Sequence, residues 1–280
     1  MVPGRLVILV PIAEHKTYAL PSLLDSILKL TLPHDHCFFF HVNRSKPAFA
    51  EHLRLELLRR DIPFAMVFND KDYASETTLL RERNGNVLDD PGAIAALLAI
   101  AEAREALLRG ALMVKPERIF WLDADMVPPP DTVSRLMAHN KDVVSAKCFM
   151  RRADIPTVCA WRYDPALLLA GRNQGRGPIN LTLEELGGKP GVTWLRGKTD
   201  LLQLTQRFIP EDSTGLQEVD GVGLAATLWS AEAAKKVIFH LQNLTSDDML
   251  ASSLLQEAGF PIFVDMDLHV LHMDSARGAV

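Results

Sequence analysis

Five short apolar runs, each followed by a polar or amphipathic stretch, constrain this chain more than any other feature. They are "RLVILVPIA" (5–13), "CFFFHVN" (37–43), "PFAMVFND" (63–70), "RIFWLDAD" (118–125) and "DVVSAKCFM" (142–150). Each is rich in β-branched and aromatic residues and too short to pack as a helix. Their polarity does not alternate, so both faces of each predicted strand are buried. Between them lie segments with apolar residues at helical spacing: 20–30, 47–61, the Ala/Leu-rich 93–112 with a stop near Gly110, and 130–140, which Pro130 and Asp131 start. The stretch 74–92 is polar and carries turn signals at Asn84-Gly85 and Asp90-Pro91-Gly92. Strands alternating with helices predict an α/β fold, with a mostly parallel central sheet covered by helices on both faces. Such sheets bind ligands beyond the carboxyl ends of their strands.

The pattern changes after residue 150. From 170 to 215 the chain is rich in Gly, Pro, Arg and Lys, which predicts loops and a small hairpin around 191–197. Order returns with a glycine-bent strand at 218–230, helices at 230–241 and 246–259, the latter stopped by Gly259, and a last strand at 260–273. We divide the chain into residues 1–150, a ligand-binding half, and residues 151–280, a second half of the same domain carrying a loop-rich insertion. At 280 residues the chain is near the upper limit for one core.

Composition narrows the function classes. A net charge of −5 gives no global case for a polyanion partner. No apolar run reaches the roughly 18 residues of a membrane span, and "LVILVPIA" runs into Glu14, His15 and Lys16 without a cleavage site, so it reads as a strand. Cys37, Cys148 and Cys159 are odd in number and form no C-x-x-C, which suits a reducing, cytoplasmic setting.

The chain holds three D-x-D triplets: Asp70/Asp72, Asp123/Asp125 and Asp265/Asp267. Only the middle one follows a fully apolar run and precedes a proline turn and a capped helix. Alternate residues of a strand share a face, so an extended Asp123–Asp125 would aim both carboxylates at one cation or one ribose. Carboxylate oxygens suit Mg2+ or Mn2+, which in turn hold substrate phosphates. The other two triplets read as turn and strand-edge acids. Asp247 and Asp248 open a helix, where the dipole favours acids, and one of them is a candidate general base. His272, on the last strand, is a candidate ligand or a packed core histidine.

These segments, in this order, resemble the GT-A (Rossmann-like) nucleotide-sugar glycosyltransferases, family 2-like. "VILVPIAEH" resembles the first strand of that fold, whose end helps hold the nucleotide. "FWLDADMVPPPDTVSRLM" resembles its D-x-D strand and following helix. "VDGVGLAATLWSAEAAKKV" resembles the segment lining the donor sugar. "SDDMLASSLLQEAGFPIFVDMDLHVLH" resembles its acidic pair, helix, glycine, strand and terminal histidine. Asp247 stands where a Glu is commoner.

The resemblance implies a hexosyltransferase that uses a nucleoside-diphosphate sugar, by default a UDP-sugar, with Mn2+ or Mg2+. It implies Asp123, Asp125 and His272 as metal ligands, Asp123 also facing the ribose. It implies Pro11, Ile12, Glu14, Asn43, Arg104, Asp220, Gly221 and Gly223 around the donor, with Arg104 reaching the diphosphate. Asp247 would be the acceptor base of an inverting enzyme, and Asp248 would cap the helix and orient its neighbour.

From Lys147 to Arg207 there are ten Lys or Arg and five Asp or Glu, so this segment is +5 and the remainder −10. In the GT-A fold that insertion faces the acceptor, which implies an anionic acceptor, a phosphorylated glycan or a nucleic acid. Trp161, Tyr163 and Trp194 are interleaved and suited to stacking. Three competing readings stand beside this one. "LDADMV" also resembles the nucleophile motif of haloacid-dehalogenase-type phosphatases, though it sits on the fourth strand rather than the first. A nucleotidyltransferase would need a Gly-rich phosphate loop that "VPIAEHKT" lacks. A non-catalytic sugar- or nucleotide-binding module would not need the acids and histidine together.

Overall fold

The computed structural model describes residues 5–43, 45–62, 65–69, 91–152, 155–163, 206–239, 247–274 and 278–279. Strand β1 (Leu6–Ile12) is buried along its whole length. It pairs in parallel with β2 (His36–Val42) on one side and β4 (Arg118–Leu122) on the other; β2 pairs in parallel with β3 (Ala65–Asn69). Four helices accompany these strands: α1 (Leu20–Ile27), α2 (Pro47–Arg59), α3 (Pro91–Met113) and α4 (Thr132–Ala138).

Alternation along the strands divides the core in two. Leu6, Ile8 and Val10 of β1 cluster with Leu23 and Leu24 of α1 and Leu53 of α2. Val7 and Leu9 point the other way and cluster with Trp121 of β4 and with Leu107, Leu108 and Ala111 of α3. Both sheet faces are therefore covered. The expected stop at Gly110 does not end α3, which runs on to Met113. Glycine costs a helix interior about 1 kcal/mol, and the burial of Leu107, Leu108 and Ala111 on the sheet offsets that. The chain reverses after the helix, where Lys115 takes a φ of 52°.

The second half of the chain joins the same sheet. Its order is β10-β13-β6-β12-β4-β1-β2-β3, with β6 (Val143–Arg152), β10 (Leu216–Val219), β12 (Ala226–Ser230) and β13 (Ile262–Asp274). Strand β12 lies antiparallel between β4 and β6, so the two halves interleave. The sheet is mixed and mostly parallel, with β13 parallel to β6 and only β10 and β12 reversed along this path.

The expected single strand at 218–230 is instead β10, β11 (Gly221–Val222) and β12. Strand β11 leaves the main sheet for a second, three-stranded one with β8 (Ala160–Tyr163) and β9 (Gln206–Phe208). The crossing requires Gly221, because a Cβ there would overlap the indole of Trp161. The stretch 170–215 expected as loops thus includes β9, and β7 (Ile155–Val158) and β8 lie before it, where no element was expected. The hairpin expected at 191–197 lies outside the described residues. Within the expected helix 230–241, the described helix is α5 (Ala231–Ala234), capped by Ser230 Oγ, which accepts the Ala233 N–H. Helix α6 (Asp247–Glu257) ends before Gly259, whose φ of 83° makes the turn into β13.

Candidate active site

Strand β4 stops at Leu122, and the acids after it do not continue extended. Met126 donates to the Asp123 carbonyl at 3.0 Å, closing a turn, and Asp123 donates to the Ala225 carbonyl at 2.9 Å. The short strand β5 (Met126–Val127) then pairs with the end of β13, setting Met126 opposite His272. A turn does not keep alternate side chains on one face, so the two carboxylates separate. Asp123 Oδ1 accepts from Arg104 Nη2 at 2.9 Å. Asp125 Oδ2 faces His272 Nε2 at 3.1 Å and the Lys16 ammonium. Among the described residues, no group of three His, Cys, Asp or Glu closes on one point, so Asp123, Asp125 and His272 do not form a preassembled cage.

Arg104 reaches this edge from α3. It is 2% exposed, bonded to both Asp123 and Asp247, and stacked over Trp121 with its guanidinium 5.3 Å from the ring centre. Burial lowers its affinity for a proton, but the carboxylates around it raise that affinity further, so it stays charged. Asp247 is thereby occupied. Asp248, next along α6, instead accepts the Leu224 N–H at 3.1 Å. Burial, then the charge of Asp247 beside it, pushes the Asp248 carboxyl up to about 8, which makes it a proton carrier near neutral pH. Asp123 is also raised, by burial and its acidic neighbours, with Arg104 offsetting part of this.

Asp125 behaves in the opposite way. Burial raises its carboxyl, but the hydrogen bond with His272 and the charge of Lys16 outweigh burial and hold it at about 2. His272 is raised, first by its bond with Asp125. Its Nδ1 lies 3.0 Å from the Phe149 carbonyl, which fixes Nδ1 as the donor and turns Nε2 toward Asp125.

These groups open on a cavity of ≈ 570 Å³. Pro11, Ile12 and Asn43, at the carboxyl ends of β1 and β2, line it together with Asp123, Asp125 and His272. Gly223 and Asp248 line it as well. Gly223 lets the chain pass closely, since a Cβ there would overlap Cys159 Sγ. Asn43 is 7% exposed, and its Oδ1 has no partner among the described residues.

Five expected site residues do not line the cavity. Glu14 turns away to the β2–α2 connection, where Ser45 Oγ accepts its N–H at 2.8 Å and its carboxylate accepts the Lys46 N–H. Asp220 is held by Gln256 at 3.0 Å, and Gly221 packs on Trp161. Arg104 and Asp247 lie behind the wall as a buried pair. Of the other D-x-D triplets, Asp70/Asp72 lies outside the described residues. Asp265 is no edge acid: it is 1% exposed and bound by Arg135 and His139. Lining residues that the sequence did not single out include Lys16, Cys148, Cys159 and Ala225. A basic residue just beyond the end of a buried strand was the available signal for Lys16.

The Anp1 family model matches residues 3–238. The chain belongs to the Anp1 family. Over 56 residues this Anp1 chain is 38% identical to "Mannan polymerase complex subunit mnn9" of Schizosaccharomyces pombe (strain 972 / ATCC 24843); the match spans 20% of this chain and 17% of that protein. The mannosyltransferase PcManGT from Pyrobaculum calidifontis, solved with GDP-Man and Mn2+, superposes with a TM-score of 0.53 at 11% identity, over 98% of this chain and 59% of that one. GalNAc-T7, solved with UDP, GalNAc and Mn2+, superposes with a TM-score of 0.57 at 10% identity, over 96% and 44%. The chain thus covers less than two thirds of each of these proteins. The fold is that of the GT-A glycosyltransferases. Among the described residues, no helix is long and apolar enough to cross a membrane.

Proposed function

We propose that this Anp1 chain transfers a hexose from a nucleoside-diphosphate sugar to an acceptor hydroxyl, with Asp248 as the acceptor base. The observation that carries the reading is one cavity lined both by an ionised Asp125 beside His272 and by the proton-carrying Asp248. Asp125 and His272 would hold a divalent cation, Mn2+ or Mg2+. An ionised oxygen and an imidazole nitrogen 3.1 Å apart suit such an ion, and substrate phosphates commonly complete such shells. Bound there, the ion would neutralise charge on the leaving diphosphate.

The chain's own residues do the rest. Asn43 Oδ1, a buried acceptor in need of a donor, suits an N–H of the nucleobase or a ribose hydroxyl. Arg104 holds Asp123 and Asp247 in place, so its role is positioning rather than diphosphate contact. Asp248 takes the acceptor proton as the acceptor oxygen bonds to the sugar carbon and that carbon releases the diphosphate oxygen, an inverting displacement. The relative named as a mannan polymerase subunit, together with the mannosyltransferase neighbour solved with GDP-Man, makes GDP-mannose the first donor to test, ahead of a UDP-sugar. The excess of Lys and Arg between residues 147 and 207 supports an anionic acceptor.

The deciding experiment is calorimetric titration with GDP and UDP, with and without Mn2+. Binding that requires Mn2+ supports the donor site. If neither nucleotide binds in either condition, the reading fails.

A further inference from the structure

Lys16 is the one Lys or Arg among the described residues lining the cavity. It ends a single turn of 3-10 helix, Glu14–Lys16, just past β1. Its ammonium lies on Asp125 Oδ2, the same oxygen that faces His272 Nε2. One carboxylate oxygen therefore faces both the ammonium and the imidazole. A divalent cation held by Asp125 and His272 would compete directly with the ammonium for that oxygen.

The backbone of the turn is fixed by hydrogen bonds. Lys16 N–H donates to the Ala13 carbonyl at 2.9 Å, and Thr17 Oγ1 bonds the Glu14 carbonyl. Tyr18 Oη donates to the Met273 carbonyl at 3.1 Å, tying the segment to the end of β13 beside His272. The lysine stem is about one third exposed, at 32%. Four rotatable bonds let its ammonium move by several ångströms without disturbing the fold. The nearby Arg104 cannot serve in its place, because Asp123 and Asp247 hold it.

We propose that Lys16 is an exchange residue for the donor: it occupies Asp125 in the free protein, yields that oxygen to the divalent cation, and then binds the anionic oxygens of the diphosphate. The inference rests on the donor-site reading above. A lysine that merely props up Asp125 behaves differently, since its loss would leave cation binding unchanged or weaker. An exchange residue is a competitor of the cation and a partner of the nucleotide, so its loss moves the two affinities in opposite directions.

The test uses the full chain as wild type, Lys16→Gln and Lys16→Arg. Binding of MnCl2 alone is read from the free-ion electron paramagnetic resonance signal. Binding of GDP and UDP at saturating MnCl2 is read by calorimetry. Lys16→Gln is expected to bind Mn2+ alone about tenfold more tightly and the nucleotide about tenfold more weakly, in keeping with close charge pairs. Lys16→Arg should recover most of the nucleotide affinity. Thermal melting of both variants separates a folding defect from a site effect. If wild type binds Mn2+ and nucleotide and Lys16→Gln shifts neither, or weakens both, the exchange role is wrong while the donor site stands. If wild type binds neither, the donor-site reading fails and takes this proposal with it.

Discussion

His272 Nε2 stands 3.1 Å from Asp125 Oδ2, joining the end of β13 to the turn after β4. The Phe149 carbonyl orients the ring from the other side. Removing either member should weaken nucleotide binding in Mn2+ by about 10–100-fold, the usual cost of disturbing such a site. Asp125→Asn and His272→Ala should behave alike, and EDTA should bring wild type to the same level. Titration of GDP and UDP into each variant checks this; unchanged affinity in both would remove the pair from the donor site.

The two acids at the start of α6 should separate by phenotype. Asp248→Asn keeps an oxygen for the Leu224 N–H and loses only the proton acceptor, so turnover should drop by about 10²–10⁴-fold with donor affinity near wild type. Asp247→Asn leaves buried Arg104 with one full counter-charge, and should cost about 3 kcal/mol of stability. Chemical denaturation and turnover measured on both variants decide it. If Asp247→Asn is as stable as wild type but inactive, the roles are reversed.

Stability should carry a signature of Asp248. Its carboxyl titrates at about 8 in the fold, against about 3.9 in an unfolded chain. The folded state binds the extra proton between those values. The stabilisation is full below about pH 4 and is lost as pH rises through about 8. Asp248→Asn is neutral throughout, so its melting temperature should gain on wild type from pH 5 to pH 9. Parallel curves across that range would mean that Asp248 is ionised in the neutral protein. Activity should rise with pH through the same region, because the base must be deprotonated to act.

Asn43 gives a prediction with opposite signs for stability and binding. Its Oδ1 is buried without a partner among the described residues. Asn43→Leu removes an unsatisfied group, so the ligand-free protein should be as stable or more stable. Nucleotide affinity should fall about 3–10-fold with the lost hydrogen bond. Melting curves and calorimetry on one sample test both; an unchanged affinity would place the nucleobase elsewhere.

Gly221 and Gly223 should differ in what rescues them. A Cβ on Gly221 would strike the rigid indole of Trp161, and one on Gly223 would strike the thiol of Cys159. Gly221→Ala should cost about 1–3 kcal/mol by overpacking. Gly223→Ala should cost less, because a thiol can rotate, and Cys159→Ala should restore most of the loss. Denaturation midpoints of the two single variants and the Gly223→Ala/Cys159→Ala double variant give the answer.

The sequence by itself determined the strands β1 to β4, β6 and β13, the coverage of both sheet faces and the neighbourhood of the site. Those properties are local: the runs at 5–13, 37–43 and 118–122 carry no polar alternation, and a strand with that pattern can only be buried on both sides. The placement of Asp123, Asp125, Asp248 and His272 near one edge followed from their positions at the ends of such elements. What only the tertiary structure decided was direction. Neighbours on a helix point about 100° apart, so which of Asp247 and Asp248 meets the cavity depends on how α6 is rotated. Ala251 and Leu255 set that rotation by packing into the core, giving Asp247 to Arg104 and Asp248 to the cavity. Likewise Asp123 and Asp125 part because β5 must turn back to pair with β13, a partner strand about 150 residues farther along. Lys16 became visible for the same reason: its partner Asp125 is 109 residues away in sequence, and no local pattern records a contact between side chains that only the folded sheet brings together.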